Sequence, residues 1–218
     1  MRSFAEILAI AAARKGGEAA VFAEIPVPKT ADALAAIPDD RWLSAMAQWI
    51  FRAGISWAVV QAKWPGIEDA FGGFQIGPLS MMDDDRLEAL LADKRVIRAG
   101  PKILAIRDNA AFLRQVGGFG RKVGDWPVED FAGLVLWMQK SGSRLGGMTA
   151  PYMLRHMGKD SFIPSRDVVA RLVAEGVIDK APASPKGWTS VQAAFNRWRA
   201  ESGLPLTTIS RVLAQSVG

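Results

Sequence analysis

At 218 residues the chain can form one domain with a substantial core, or two closely packed lobes, and its 50% hydrophobic content excludes extensive disorder. Lys and Arg outnumber Asp and Glu by 27 to 22, a formal charge of +5 that suits contact with a polyanion without establishing it. The absence of cysteine excludes disulfides and thiolate metal sites, and His156, the single histidine, leaves no means of building a histidine-rich metal centre.

Helical periodicity dominates the chain. The apolar run from Phe4 to Ala13, interrupted by Glu6, reads as an amphipathic helix closed by Gly16 and Gly17 rather than as a signal peptide. Nothing approaches the ~18 uninterrupted apolar residues of a membrane span, so a soluble, cytoplasmic protein is expected. Val21 to Val27 is the one strand candidate. Trp42, Met46, Trp49, Ile50 and Ala53 fall on one helical face, with Asp39 or Asp40 placed to cap its start. Leu87, Leu90 and Leu91 follow an acidic first turn at Asp83, Asp84 and Asp85, where the helix dipole favours negative charge.

Ile103, Ile106, Ala110 and Leu113 repeat the helical pattern, as do Phe131, Leu134, Val135 and Met138. Between them, 116–127 carries Gly117, Gly118, Gly120 and Gly124 and reads as an irregular link between lobes spanning about 1–116 and 128–218. Further helices are predicted at Thr149 to Met157, at Asp167 to Ala174, and from Trp188 through Trp198. A surface loop is expected from Asp179 to Gly187, and a last helix starts at Pro205. The fold class is all-α.

The stretch from Ser141 to Leu172 carries the most chemistry. Ser-Gly-Ser-Arg-Leu-Gly-Gly-Met-Thr-Ala at 141–150 leads into a helix, and Phe-Ile-Pro-Ser-Arg-Asp-Val-Val follows at 162–169. Glycines before a helix let the backbone approach a phosphate, which the first N–H groups and the dipole attract. Such a grip ignores base identity and suits sequence-independent DNA contact; plain turn chemistry is the alternative. Asp167 sits where a carboxylate either caps a helix or faces a reacting centre.

On these residues the chain resembles the helix-hairpin-helix (Gly/Pro-Asp) superfamily of DNA glycosylases. In that superfamily a glycine hairpin ends in Thr-Ala at a helix start, as Thr149-Ala150 does, and an aspartate opens a further helix, as Asp167 does. The resemblance implies a two-lobed helix-hairpin-helix fold. It implies DNA contact through Arg144, Gly146, Gly147 and Thr149, with Arg144 standing at the hairpin's first glycine. It also implies catalysis by Asp167. Breaking an N-glycosidic bond builds positive charge on the sugar, which a carboxylate stabilises while positioning water. Members that also cut the backbone carry a lysine where Met148 stands, and methionine cannot form the Schiff base, so an enzyme without lyase activity is implied.

A second resemblance covers roughly 53–113. Ala53-Gly54-Ile55-Ser56-Trp57, then Phe71 and Phe74, Val96-Ile97-Arg98, Lys102-Ile103 and Asn109-Ala110 are similar to the 3-methyladenine DNA glycosylase I family. That family's tryptophan helps hold the extruded base, which puts Trp57 in the base pocket; a core tryptophan is the alternative. A carboxylate that contacts the base in the family aligns with Trp49, which places Trp49 in the same pocket. Arg98 and Lys102 lie one helical turn apart and either reach a phosphate together or are simply solvated. The family's tyrosine-rich N-terminal motif and its zinc site of cysteine and histidine are absent here.

The expected function is therefore hydrolysis of alkylated bases, 3-methyladenine foremost, from double-stranded DNA in base-excision repair. The expected protein is a DNA-associated monomer that uses no metal or cofactor and touches no membrane. The alternative is a non-catalytic helix-hairpin-helix protein that binds damaged or distorted DNA.

Overall fold

Ser3 and Glu6 form a reciprocal capping box at the start of the first helix, α1 (Phe4–Lys15), and Gly16 closes it in the left-handed conformation at φ 85°. The computed structural model describes residues 1–217. Helices α2 (Glu18–Phe22), α3 (Ala31–Ala35), α4 (Asp39–Arg52), α5 (Trp57–Ala70), α6 (Ile76–Ser80) and α7 (Asp84–Ala92) follow. The rest are α8 (Gly100–Val116), α9 (Phe119–Asp125), α10 (Phe131–Ser141), α11 (Thr149–Met157), α12 (Arg166–Ala174), α13 (Pro185–Ser202) and α14 (Leu206–Gln215). Short 3-10 turns lie at Gly72–Phe74 and Val128–Asp130. There is no strand among the described residues, and the chain is all-α. Val21 to Val27, the strand candidate, instead ends α2 and continues as coil, since no second strand is present to take its backbone hydrogen bonds.

The chain folds as two compact units. The first joins Met1–Lys29, Trp126–Leu136 and the chain from Leu154 onward; the second joins Thr30–Asp125 and Trp137–Met153. In the first unit Phe162 stacks on Phe195 at 4.4 Å between ring centroids, and Phe131 meets it edge-on at 5.0 Å. Around them lie the apolar faces of α13 and α14, including the fully buried Val191, Trp198, Ile209 and Leu213. In the second unit Trp42 meets Phe119 edge-on at 5.3 Å, and Phe71, Phe74 and Trp64 form a parallel stack. Buried aromatic groups of this size supply much of each core's hydrophobic stabilisation.

The Gly-rich residues 116–127 are not an irregular link. Seven of them form α9, inside the second unit, and the glycines serve packing. A Cβ on Gly120 would sit 2.5 Å from the carbonyl oxygen of Leu34 and 2.9 Å from the Trp42 indole nitrogen, and one on Gly124 would sit 2.5 Å from the Ala31 carbonyl oxygen. Only glycine at these two positions, one helical turn apart, lets α9 lie this close against α3.

Asp39 likewise does something other than expected. It is the first residue of α4, whose preceding residue Pro38 makes no side-chain cap. Its carboxylate accepts the N–H groups of Gly118 at 3.2 Å and Phe119 at 2.9 Å, capping α9 instead. The expected loop from Asp179 ends at Ser184, which caps α13, with Pro185 in its first turn. No described helix is long and apolar enough to cross a membrane.

Candidate base-binding and DNA-binding sites

Ala53-Gly54-Ile55-Ser56-Trp57 is a helix–turn–helix junction with a physical logic. Gly54 takes φ 80°, which turns the chain back after α4, and the Ser56 hydroxyl accepts the Val59 N–H at 3.4 Å to cap α5. Trp57 thereby becomes the first residue of α5, facing the end of α4. Its ring stacks on Trp49 at 5.9 Å with planes 25° apart, and Trp49 stacks on Tyr152 of α11 at 5.2 Å and 9°. All three rings are half-buried. The guanidinium of Arg52, one turn after Trp49 on α4, lies over the rings, its carbon 4.4 Å from the Trp49 centroid. Trp49 and Trp57, both singled out from sequence, are thus in one cluster; Arg52 and Tyr152 complete it and were not foreseen.

Lys102 anchors this junction. Its amine donates to the carbonyls of Phe51, in the last turn of α4, at 3.0 Å and of Ala53, the residue after it, at 2.5 Å, where a cation also meets the negative end of the helix dipole. Burial, and then the nearby Arg144 charge, push the Lys102 amine below its ordinary value. Two of its three N–H groups are therefore committed to protein rather than left for a phosphate.

Arg98 does not stand one helical turn from Lys102. Gly100 and Pro101 open α8, because proline lacks the N–H that a first turn leaves unused. Arg98 therefore lies in the extended segment before the helix, exposed and two residues outside it.

The hairpin at 141–150 is held by Asn109, fully buried on α8. Its side-chain amide donates to the Ser143 carbonyl at 2.9 Å, and its side-chain oxygen accepts the Ser143 N–H at 2.8 Å. Leu145 is fully buried, whereas Gly146 and Gly147 are exposed, with Gly147 at φ 58°. The Thr149 N–H returns to the Gly146 carbonyl at 3.2 Å, and α11 begins there with Thr149 half-buried. Arg144 adopts φ 56°, a left-handed conformation that glycine takes without cost. The residue aligned with a hairpin glycine thus has a glycine's backbone. Its Nε donates to the Pro101 carbonyl at 3.1 Å, beside Lys102.

Asp167 belongs to the first unit, whereas the aromatic cluster and the hairpin belong to the second. It is the second residue of α12, and it is not the cap: the Ser165 hydroxyl accepts the Val168 N–H at 3.4 Å and does that work. The Asp167 side chain is 50% exposed, with its carboxylate 3.8 Å from the Arg166 guanidinium. The segment leading to it is hydrogen-bonded and buried. Ile163 N–H donates to the Ser210 hydroxyl at 3.1 Å, Ser161 N–H to the Thr207 hydroxyl at 3.3 Å, and Arg155 Nε to the Ser161 hydroxyl at 2.7 Å. Phe162, Ile163 and Pro164 are buried.

The family model for methyladenine glycosylase matches residues 38–126, which contain Trp49, Trp57, Arg98 and Lys102. A solved structure described as that of 3-methyladenine DNA glycosylase I is similar at 23% identity, covering 61% of this chain and 81% of that one, with a TM-score of 0.49. No curated protein matches the chain. Residues 38–126, less than half of the chain, are thus what is similar to the methyladenine glycosylase family.

Proposed function

We propose that this chain is a monofunctional DNA glycosylase that hydrolyses the N-glycosidic bond of alkylated bases in double-stranded DNA, as the first step of base-excision repair. The base to test first is 3-methyladenine. The observation that carries this reading is the half-buried stack of Trp57 on Trp49, inside the segment that matches the family. Flat aromatic faces that remain partly open are what an extruded base needs for stacking.

In this reading the hairpin with Gly146, Gly147 and Thr149 holds the phosphate backbone, and Arg144 and the exposed Arg98 add positive charge. Asp167 stabilises the cation that develops on the sugar and orients the water that adds to it, while the base leaves with the electron pair of the glycosidic bond. An alkylated base that already carries positive charge becomes neutral as it leaves and needs no strong acid. Met148 offers no amine to the sugar, so strand cleavage does not follow. The enzyme acts as a monomer, without metal or cofactor.

A second reading is a non-catalytic protein that binds damaged or distorted DNA. The specific observation that favours it is the Arg52 guanidinium lying over the rings on which a base would stack. Incubation with methylated duplex DNA and chromatography of the released bases separates the two. Release of an N3-alkylated purine supports the glycosylase; tight binding with no release across several alkylated bases supports the second reading.

A further inference from the structure

Arg52 ends α4 and is half-buried. Its guanidinium carbon lies 4.4 Å from the Trp49 ring centroid and 4.9 Å from that of Trp57, and the ring faces hold this flat cation by the attraction of its charge. A stacked base needs its own atoms about 3.5–4 Å from a ring. The guanidinium therefore lies within the layer that a base on Trp49 would fill, and the two exclude each other there. Cations also gather around the backbone at this point. The Lys102 amine donates to the carbonyls of Phe51 at 3.0 Å and Ala53 at 2.5 Å, one on either side of Arg52. Arg144 of the hairpin donates to the carbonyl of Pro101, the residue before Lys102, at 3.1 Å. The end of α4 and the hairpin thus share one positive region, of the kind that DNA phosphates approach.

We infer that Arg52 is a positioning residue that exchanges places with the extruded base. It covers the rings in the DNA-free protein and moves onto a backbone phosphate when the base stacks there. The inference rests on the base-binding role proposed for Trp49 and Trp57, and it adds a phosphate contact that forms only with a base in the cluster. The flexible stem of arginine lets the guanidinium leave the rings while α4 stays in place. Its planar fork of donors matches phosphate well, because two oxygens accept two N–H groups at once. The exchange also suits a cationic lesion. A 3-methyladenine still attached to its sugar carries positive charge, and it takes ring faces already suited to a flat cation, while the displaced guanidinium faces a phosphate.

Two probes test the exchange on the full chain: 3-methyladenine as the free base, and a duplex carrying one hydrolysis-resistant 3-deaza-3-methyladenine. By NMR, the Arg52 δ-methylene protons of the wild type should resonate upfield of ordinary arginine values, because they lie against ring faces. Either probe should return them to the ordinary range, and undamaged duplex should not. Arg52→Gln should bind the free base about fivefold more tightly, since no guanidinium has to leave the rings. On the lesion duplex the same variant should lose about one phosphate contact from the slope of log affinity against log salt, and on undamaged duplex it should keep the wild-type slope. Arg52→Lys keeps the charge and should keep both slopes. Thermal melts confirm folding of the variants, and the wild-type proton measurement needs none. Arg52 protons that stay shifted while a probe moves the Trp57 indole N–H overturn the exchange alone. So does a slope on the lesion duplex that is the same for wild type and Arg52→Gln, or one that falls equally on undamaged duplex. A Trp57 indole N–H unmoved by both probes overturns the base-binding cluster itself, and the exchange with it.

Discussion

The side chain of Asn109 and the backbone of Ser143 hold each other through two hydrogen bonds, at 2.9 and 2.8 Å, across 34 positions of sequence. The amide is fully buried, and it fixes the first turn of the hairpin against α8. Asn109→Ala removes both partners of a backbone donor and acceptor that are only partly reached by water. The expected loss is about 1–3 kcal/mol of unfolding free energy. Denaturant titration measures it, and duplex binding should weaken as the hairpin loosens. Asn109→Asp keeps the acceptor but sets a buried carboxylate oxygen against the Ser143 carbonyl, so it should be at least as destabilising as Asn109→Ala.

Arg144 spends backbone energy at φ 56°. Replacing it by Gly and by Ala removes the same guanidinium, and with it the bond to Pro101, so the difference between the two variants reports the backbone alone. The Gly variant should be more stable than the Ala variant by about 1 kcal/mol, the usual cost of a left-handed residue with a Cβ. Equal stabilities would show that residue 144 does not hold that conformation in solution.

The periodic helices were legible because each places its apolar residues on one face, and α11 begins and ends where the pattern predicts. What sequence could not give were features set by distant partners. Asp39 looked like a cap for its own helix, yet it caps α9, about 80 positions away. Gly120 and Gly124 read as turn residues, because glycine's use in close helix packing leaves no local mark. Gly100-Pro101 did carry a signal that Arg98 lies outside α8, since proline marks a first turn. Arg52 could have been found from its spacing of three residues after Trp49, which puts both on one helical face. Tyr152 could not, because only tertiary packing brings α11 to Trp49.

Lys102 gives a pH-dependent outcome. Its folded-state pKa lies below 10.5, chiefly through burial and secondarily through Arg144. The unfolded chain therefore holds this proton more tightly, and the contribution of Lys102 to stability rises as pH climbs from the folded value towards the unfolded one. Side-chain NMR of Lys102 should show titration below the ordinary lysine value. Arg144→Gln should move it back upward only in part, because burial remains. Full restoration would make Arg144 the main cause and contradict the burial argument.

Trp57→Ala tests the proposed stacking. It should reduce discrimination between alkylated and normal duplexes by about 1–3 kcal/mol, the usual worth of one stacked base. Salt-sensitive binding to undamaged DNA should barely change, because phosphate contacts supply it. Competition binding at two salt concentrations measures both quantities. An equal loss on undamaged DNA would return Trp57 to a purely structural role at the α4–α5 junction.

Asp167→Asn separates charge from shape at the residue on which the proposed hydrolysis most depends. Ser165 caps α12, so the substitution removes no cap; it removes one negative charge from the first turn, where the helix dipole favours it. For a half-exposed side chain that should cost at most about 0.3–1 kcal/mol of stability. The ion pair with Arg166 adds little, since both groups are largely exposed. DNA binding should hold or tighten as negative charge leaves a surface that meets phosphates. If the carboxylate stabilises a sugar cation, base excision should fall by about 10²-fold or more, as when other preorganised electrostatic contacts are lost. The fall should be smaller for bases that are already cationic, because they leave with less help. Single-turnover release of base from a methylated duplex, with wild type and variant matched for folding, measures these effects directly. An unchanged rate would remove Asp167 from the mechanism and leave its charge a minor contributor to the stability of α12.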